Sequence, residues 1–316
     1  MKGAALLLAM ITVALVATLA AAALWRQWRG VEVEGAERAR VQASWILTGA
    51  LDWGRLILAG DLRESSIDHL GEPWAMPLAE ARLSTFLAAG DTDDAADRDA
   101  FLSGQITDLQ SRLNVMNLAV GDGQQARARF ERLFQQLGLP ASELTSLIDN
   151  LTRANAAMQA SNTNSGDAPL LPRRFDQLTW LGVSPATLEA LRPYVTVLPG
   201  STAIVPVNLN TASALVLYAA LPDIDLAGAQ RLVAERDRSP FQDPNAIITL
   251  LNLPLTADLS WVSEKSSYFE ILGRLRLDDV ALQEVAVVWR RASPRGVITL
   301  WRERMAVTAP VAAVTR

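Results

Sequence analysis

Residues 1–30 read MKGAALLLAMITVALVATLAAAALWRQWRG, and the reading of this stretch decides the fold. After Lys2 and Gly3 no charge appears until Arg26; the apolar run opens at Ala4 and closes at Leu24, with Trp25 beyond it. A hydrocarbon core about 30 Å thick needs about 20 apolar residues as helix, and residues 4–24 supply them. A secretory signal differs: it has a positively charged start, an apolar stretch of about 7–15 residues and a small-residue cleavage box. Only Met1, Lys2 and Gly3 precede this run, which is long for such a stretch, although the alanines at 20–23 imitate a cleavage box.

The helical pattern continues past the apolar run. Arg26, Arg29, Glu32, Glu34, Glu37, Arg38 and Arg40 are interleaved with Trp25, Trp28, Val31, Val33 and Ala36. Farther on, Val41, Trp45, Ile46, Ala50, Trp53 and Ile57 fall roughly on one helical face. No proline occurs before Pro73. The spacing predicts one helix to about residue 59, stopped by Gly60-Asp61. Such a rod is about 80 Å long at ~1.5 Å per residue. One half of it suits lipid and the other suits a globular head or a neighbouring helix.

Composition narrows the chemistry. The chain has 316 residues, half of them hydrophobic, and a net charge of −5, which provides no global basic field for nucleic acid. It contains no cysteine and one histidine, His69. Disulfides, thiolate metal sites and cysteine nucleophiles are excluded, and histidine-based metal sites or Ser-His triads have almost no material. No nucleophile elbow, phosphate-binding glycine loop or metal-ligand spacing is present. An enzyme is therefore not expected, and His69 reads as a loop residue.

The rest of the chain divides by periodicity. Strand signals stand at residues 79–84 and 101–113, separated by GDTDDAADRD (90–99), which lacks the ligand spacing of a calcium loop and reads as a solvated loop. Helical segments follow at 124–137, 142–158, 175–181, 185–191 and 226–237, with a further helix leading up to Leu221. After Lys265 the period returns to two: Phe269, Ile271, Leu275 and Leu277 alternate with Glu270, Arg274 and Arg276, giving one buried and one basic face. A helical block bounded by parts of one sheet reads as an insertion into an α+β domain. The expected plan is a leader (1–3), a transmembrane helix (4–24), its amphipathic continuation (25–60), and the first part of the α/β domain (61–119). The inserted helical domain (120–259), C-terminal antiparallel strands (260–305) and a tail (306–316) complete it.

Lys2-Gly3-Ala4 ahead of such a helix resembles a type IV prepilin leader, which implies cleavage after Gly3 by the prepilin peptidase and methylation of Ala4. Pilin-like proteins usually carry a glutamate at the position held here by Leu8. A buried carboxylate with no amine above it is costly, so Leu8 suits the subunit at a filament tip. Further segments sharpen the likeness: Asp68 with Glu72-Pro73-Trp74-Ala75, Leu113-Asn114-Val115-Met116-Asn117-Leu118, LRPYVTVLP (191–199), Val207-Asn208-Leu209-Asn210-Thr211-Ala212 and Ser267-Tyr268-Phe269. In this order they resemble the type II secretion minor pseudopilin K family, over nearly the whole chain. The resemblance implies an α+β pilin-like fold, with the long helix packed on an antiparallel sheet and a large inserted helical domain. It also implies a place at the tip of a pseudopilus, held in the bacterial inner membrane by one helix with the globular part in the periplasm. The implied work is to initiate or cap the filament with I- and J-type minor pseudopilins, without catalysis. Leu8, Val41, Trp45, Ile46 and Trp53 are the expected helix-packing positions for those partners.

One departure concerns calcium, which family members often bind in the inserted domain. Asp149 is kept, but Leu151 stands where a second aspartate is expected and the acidic run beyond is absent. A calcium site needs about 6–8 oxygen ligands, so no metal or other cofactor is expected here. NLNTASALVLYAALPDIDLAGAQRLVAERDR (208–238) also resembles a helix-hairpin-helix DNA-binding element. Asp223 stands where that element has a glycine and would repel phosphate, and only Arg231, Arg236 and Arg238 supply nearby positive charge. A packing role is preferred, with no nucleic-acid partner expected. Asn208, Asn210 and Thr211 are expected to satisfy backbone groups at the strand-to-helix turn. A minor pilin of a type IV pilus is the remaining alternative. Intact-mass analysis of protein made in a host with the prepilin peptidase should show loss of Met1, Lys2 and Gly3. Cleavage near Ala23 would identify an ordinary secretory signal instead.

Overall fold

The computed structural model describes residues 2–83, 100–120, 123–159, 168–199, 203–277, 280–292 and 296–305. The loop at 90–99, Met1 and the tail at 306–316 lie outside the described residues. Helix α1 (Lys2–Glu64) runs unbroken for 63 residues, about 95 Å at ~1.5 Å per residue. It passes the expected stop at Gly60-Asp61 by one turn. The Asp61 carboxylate is taken by Arg290 rather than by local backbone, and the Asp61 carbonyl accepts from Ser65 N–H, so the last turn stays helical.

Beyond α1, Pro73–Ala75 makes a 3₁₀ turn that seats Trp74 in the core. Strands β1 (Leu78–Arg82) and β2 (Ala100–Asp108) pair antiparallel. β2 ends earlier than the expected 101–113 because the Asp108 carboxylate accepts from Gln110 N–H at 2.7 Å, capping a 3₁₀ turn at Leu109–Ser111.

The helical block that follows is two modules built alike. The first opens with β3 (Leu113–Asn114) and runs through α2 (Gln124–Leu137), α3 (Ala141–Gln159) and α4 (Pro185–Leu191). It closes with β4 (Val195–Thr196), parallel to β3. The second opens with β5 (Val207–Asn208) and runs through α5 (Ala214–Ala220), α6 (Leu226–Arg236) and α7 (Ala246–Leu251). It closes with β6 (Val262–Ser263), parallel to β5. An asparagine on each opening strand caps the next turn: Asn114 accepts from Met116 N–H, and Asn208 from Asn210 N–H. The modules share one core around Phe130, Leu133, Leu147, Leu178, Leu217 and Trp261. This core reaches outside residues 120–259 on both sides, taking in Leu113, Val115, Met116 and Leu118 before and Trp261 and Val262 after.

The chain then returns to the sheet as β7 (Tyr268–Leu277), β8 (Val280–Arg291) and β9 (Gly296–Met305). The sheet order is β1-β2-β7-β8-β9, antiparallel throughout. β7 pairs directly with β2, from Ala100↔Leu277 to Asp108↔Phe269, so the block is inserted between two adjacent strands. As the alternation predicts, Phe269, Ile271, Leu275 and Leu277 are buried under α1. The opposite face is less uniformly basic than expected. One end is covered by Leu109, Leu198, Val205 and Val287, which dock the block onto the sheet.

Helix α1 lies on the sheet with Ala43, Leu47, Leu51, Gly54 and Leu58, spaced four, four, three and four apart, all buried. Two glycines set the close approach. A Cβ on Gly54 would sit 2.9 Å from Ile271 Cγ2, and one on Gly273 would sit 2.8 Å from Leu47 Cδ1. Gly54→Leu is expected to lower unfolding stability by about 1–3 kcal/mol through overpacking. On the exposed side of the same helix, a Cβ on Gly49 meets nothing within 4 Å. Gly49→Ala should leave stability unchanged or raise it by up to ~1 kcal/mol. Denaturant unfolding of the detergent-solubilised chain checks both.

Candidate functional site

Two features stand out, and both involve α1. The first is a buried polar joint at its C-terminal end. Asp61 on α1, Asp68 in the following turn and Ser266 before β7 converge on Arg290 of β8, with Glu72 beside the two aspartates and Asp108, at the end of β2, joined through Ser266. Arg290 meets Asp61 at 2.5 Å and Asp68 at 2.5 Å, and donates to the Ser266 carbonyl at 2.8 Å. Its guanidinium also lies over the Phe269 ring, 4.7 Å from the centroid. Glu72 accepts from Trp74 Nε1 at 2.7 Å and from His69 N–H at 2.9 Å. Asp108 accepts from Thr211 Oγ1 at 2.5 Å, Ser266 Oγ at 2.6 Å and Asn208 Nδ2 at 3.1 Å. Asn208 also donates to the Asp68 carbonyl.

The joint therefore links α1, the sheet and the second helical module. Burial dominates its acid chemistry. Asp61 is pushed up to about 6, first by desolvation and then by the nearby Glu72 charge, with Arg290 opposing. Burial likewise pushes Asp108 up to about 6, against hydrogen bonds from Ser266 and Thr211. The carboxylates of Asp61, Asp68 and Glu72 lie within 4.8 Å of one another, a spacing that would suit a divalent cation. Arg290 already places a positive charge among them.

The second feature is the asymmetry of α1 above the sheet. One flank is polar and stitched to β9: Arg55 donates to the Val297 carbonyl at 2.7 Å, Arg302 meets Asp52 at 2.8 Å and Arg304 donates to Ser44 Oγ at 2.7 Å. The other flank is apolar. Ala50, Trp53 and Ile57 border a cleft of about 270 Å³ closed by Pro73, Met76 and Ile106. The strip facing away from the sheet carries Val41, Trp45 and Leu56, which are 53, 73 and 68% exposed.

The residues singled out in the sequence are dispersed along this helix. Gly3 and Ala4 lie at its exposed start, and Leu8 is exposed within the apolar span. Val41 and Trp45 share the outer strip, and Trp53 sits on the apolar flank. Ile46 instead packs partly against the sheet. Asp149 is exposed on α3, whereas Leu151 is buried in the helical core and could offer no ligand.

Asn208, Asn210 and Thr211 do more than cap their own turn. Asn210 exchanges hydrogen bonds with the backbone of Phe241, and Thr211 reaches Asp108. At the hairpin of α5 and α6 the nearby arginines are engaged within the chain. Arg236 is buried on the carbonyls of Leu209 and Ala212, Arg231 donates to the Leu250 carbonyl, and Arg238 pairs with Glu235. Arg132 donates to the carbonyls of Tyr218, Pro222 and Ile224, occupying the hairpin itself. Sequence reading missed Asp61, Asp108 and Arg290 as partners; the clusters around Asp68 and Asn208 were the available signal, with no indication of what they touched.

Two family models described as type II secretion system (T2SS), protein K match residues 111–200 and 207–266, one on each helical module. The type II secretion system protein K of Pseudomonas aeruginosa is 28% identical over 303 residues, covering 88% of this chain and 85% of that protein. The fold resembles a chain in the crystal structure of the GspK-GspI-GspJ complex from the enterotoxigenic Escherichia coli type 2 secretion system. The TM-score is 0.65 at 17% identity, covering 86% of this chain and 99% of that one.

Arg290→Met removes the cation from the joint and leaves its carboxylates buried. It should cost about 3–5 kcal/mol of stability, read from denaturant unfolding. Arg290→Lys should recover only part, because one ammonium cannot reproduce the planar two-sided contact.

Proposed function

This chain belongs to the type II secretion system protein K family, and on that premise we propose how it acts. It is a minor pseudopilin of type II secretion. In our reading it sits at the tip of the pseudopilus, starting or capping the filament, and is joined there to I- and J-type minor pseudopilins. Its work is assembly rather than catalysis. Processing by the prepilin peptidase after Gly3 belongs to the same reading, as does a location in the bacterial inner membrane with the sheet and helical block in the periplasm.

The observation that carries this proposal is the exposure of α1. Its 18-residue apolar window has a mean hydropathy of 2.5 and none of it is buried within the chain. Trp25 and Trp28 follow, 59 and 58% exposed, with Arg29 stacked over Trp25, the arrangement of an interfacial belt. Above that belt one side of the helix is sealed by the sheet, while Val41, Trp45 and Leu56 face outward and are mostly exposed. An apolar strip continuous with a membrane span suits side-by-side packing with helices anchored in the same membrane. Leu8 supports the tip position: a subunit with no neighbour above it gains nothing from a carboxylate there.

Trp45→Asp places a charge on the outer strip without touching the sheet core, so the chain should fold normally. Co-purification of the I- and J-type partners from co-expressing cells should be abolished. Ile46→Asp should also lose partners, but with a lowered melting temperature, because Ile46 packs partly against the sheet. Undiminished capture of both partners by folded Trp45→Asp would remove the outer strip from the interface.

A further inference from the structure

The polar joint at the C-terminal end of α1 sets four acidic side chains beside one guanidinium. Four carboxylates, Asp61, Asp68, Glu72 and Asp108, are gathered there, and three of these residues are at most 6% exposed. Asp61 has a side chain 10% exposed. One guanidinium, Arg290, faces them from β8. Asp61 is faced by Asp68, Glu72 and Arg290, and Asp108 by Asp68 across Ser266. His69, in the same turn, contributes its backbone N–H to Glu72, and its ring accepts from Gly71 N–H. Glu264 and Lys265, on the segment entering β7, pair with each other at 3.3 Å. Arg290 directly contacts two of the four acids, and Asp108 is bound only by neutral donors. Like charges buried this close favour retention of a proton.

We propose that this cluster is a proton-operated lock between the stem, formed by α1 and the sheet, and the helical block. With a proton in the Asp61–Asp68–Glu72 group, less charge faces Asp108, and the hydrogen bonds that Ser266, Asn208 and Thr211 donate to its carboxylate hold the second module against the base of α1. With every carboxylate ionised, Asp108 and the Asp61–Asp68–Glu72 group repel one another across Ser266, and the contact loosens. The elements joined make the consequence mechanical, because the lock lies where the chain passes from α1 into the sheet and where the block returns to β7.

The sign follows from linkage. An acid that binds its proton more tightly in the folded than in the unfolded chain stabilises the fold at low pH, and this stability is lost as pH rises through the folded value. For Asp61 and Asp108 that value is about 6. The test is hydrogen exchange on the full-length chain in detergent at about pH 5.5 and about pH 7.5, corrected for the chemical exchange rate. Protection of residues 68–74 and 208–212 should fall by about tenfold or more at the higher pH, while that of α3 stays constant. The double variant Asp61→Asn, Asp108→Asn should lose the dependence. Equal protection at both pH values in the wild type, or full pH dependence in the double variant, overturns the proposal. Should the double variant fail to fold, infrared titration of the wild type decides. A protonated-carboxyl band disappearing near pH 6 is expected, and its absence above about pH 5 refutes the lock.

Discussion

The contact of Arg290 with Asp61 and Asp68 fixes the rest of the architecture. It ties the last turn of α1 to the middle of the sheet, and it does so where the main chain has just left the helix and the inserted block is about to rejoin the sheet. A buried ion pair is weak evidence of net stabilisation, since desolvation offsets much of its attraction. Its value here is positional. A guanidinium with two carboxylates and a carbonyl around it tolerates one arrangement of three elements, whereas an apolar contact tolerates several. Apolar packing of Leu47, Leu51 and Leu58 against the sheet supplies the driving force. The ionic joint fixes where along the helix that packing stops.

From this constraint the division of α1 follows. Below the joint, one face is consumed by the sheet, a polar flank is stitched to β9, and an outward strip remains. Farther toward the N-terminus, in the apolar span, the described side chains have no intramolecular packing. A helix exposed over that length in an isolated chain is a liability unless lipid and neighbouring helices cover it. The fold thus implies an environment, and the family relationship names the assembly in which that environment exists.

Much of this was legible in the sequence, because long-period signals are local. The helix was readable from hydropathy and the absence of proline, and the strands after Lys265 from strict alternation. Helix α2 was readable from its periodicity and from Gly138, whose φ of 64° places it in the left-handed region. What could not be read was pairing at a distance. Asp61 looked like a helix stop because its partner stands 229 residues away. β2 looked longer because Ile106, Leu109 and Leu113 stand among polar residues as far as Leu113, and nothing local announces that Asp108 caps a turn. The face chosen from Val41, Trp45, Ile46 and Trp53 merged strips that the sheet separates, since it takes Ala43, Leu47 and Leu51 inward and leaves Trp45 out. Small residues such as Ala43 and Gly54 carry little hydrophobic signal, yet they define where helix and sheet meet most closely.

The central claim is that the outer strip of α1 is the surface by which this subunit joins its pseudopilin neighbours. The chain has no cysteine, so single cysteines can be placed along α1 one at a time and oxidised in membranes containing single-cysteine I- and J-type partners. Cysteines at positions 41, 45 and 56 should form disulfides with a partner helix, while those at 44 and 55, beside β9, should not. Cross-links of equal yield from both sets, or none to either partner from the outer strip, would contradict the account.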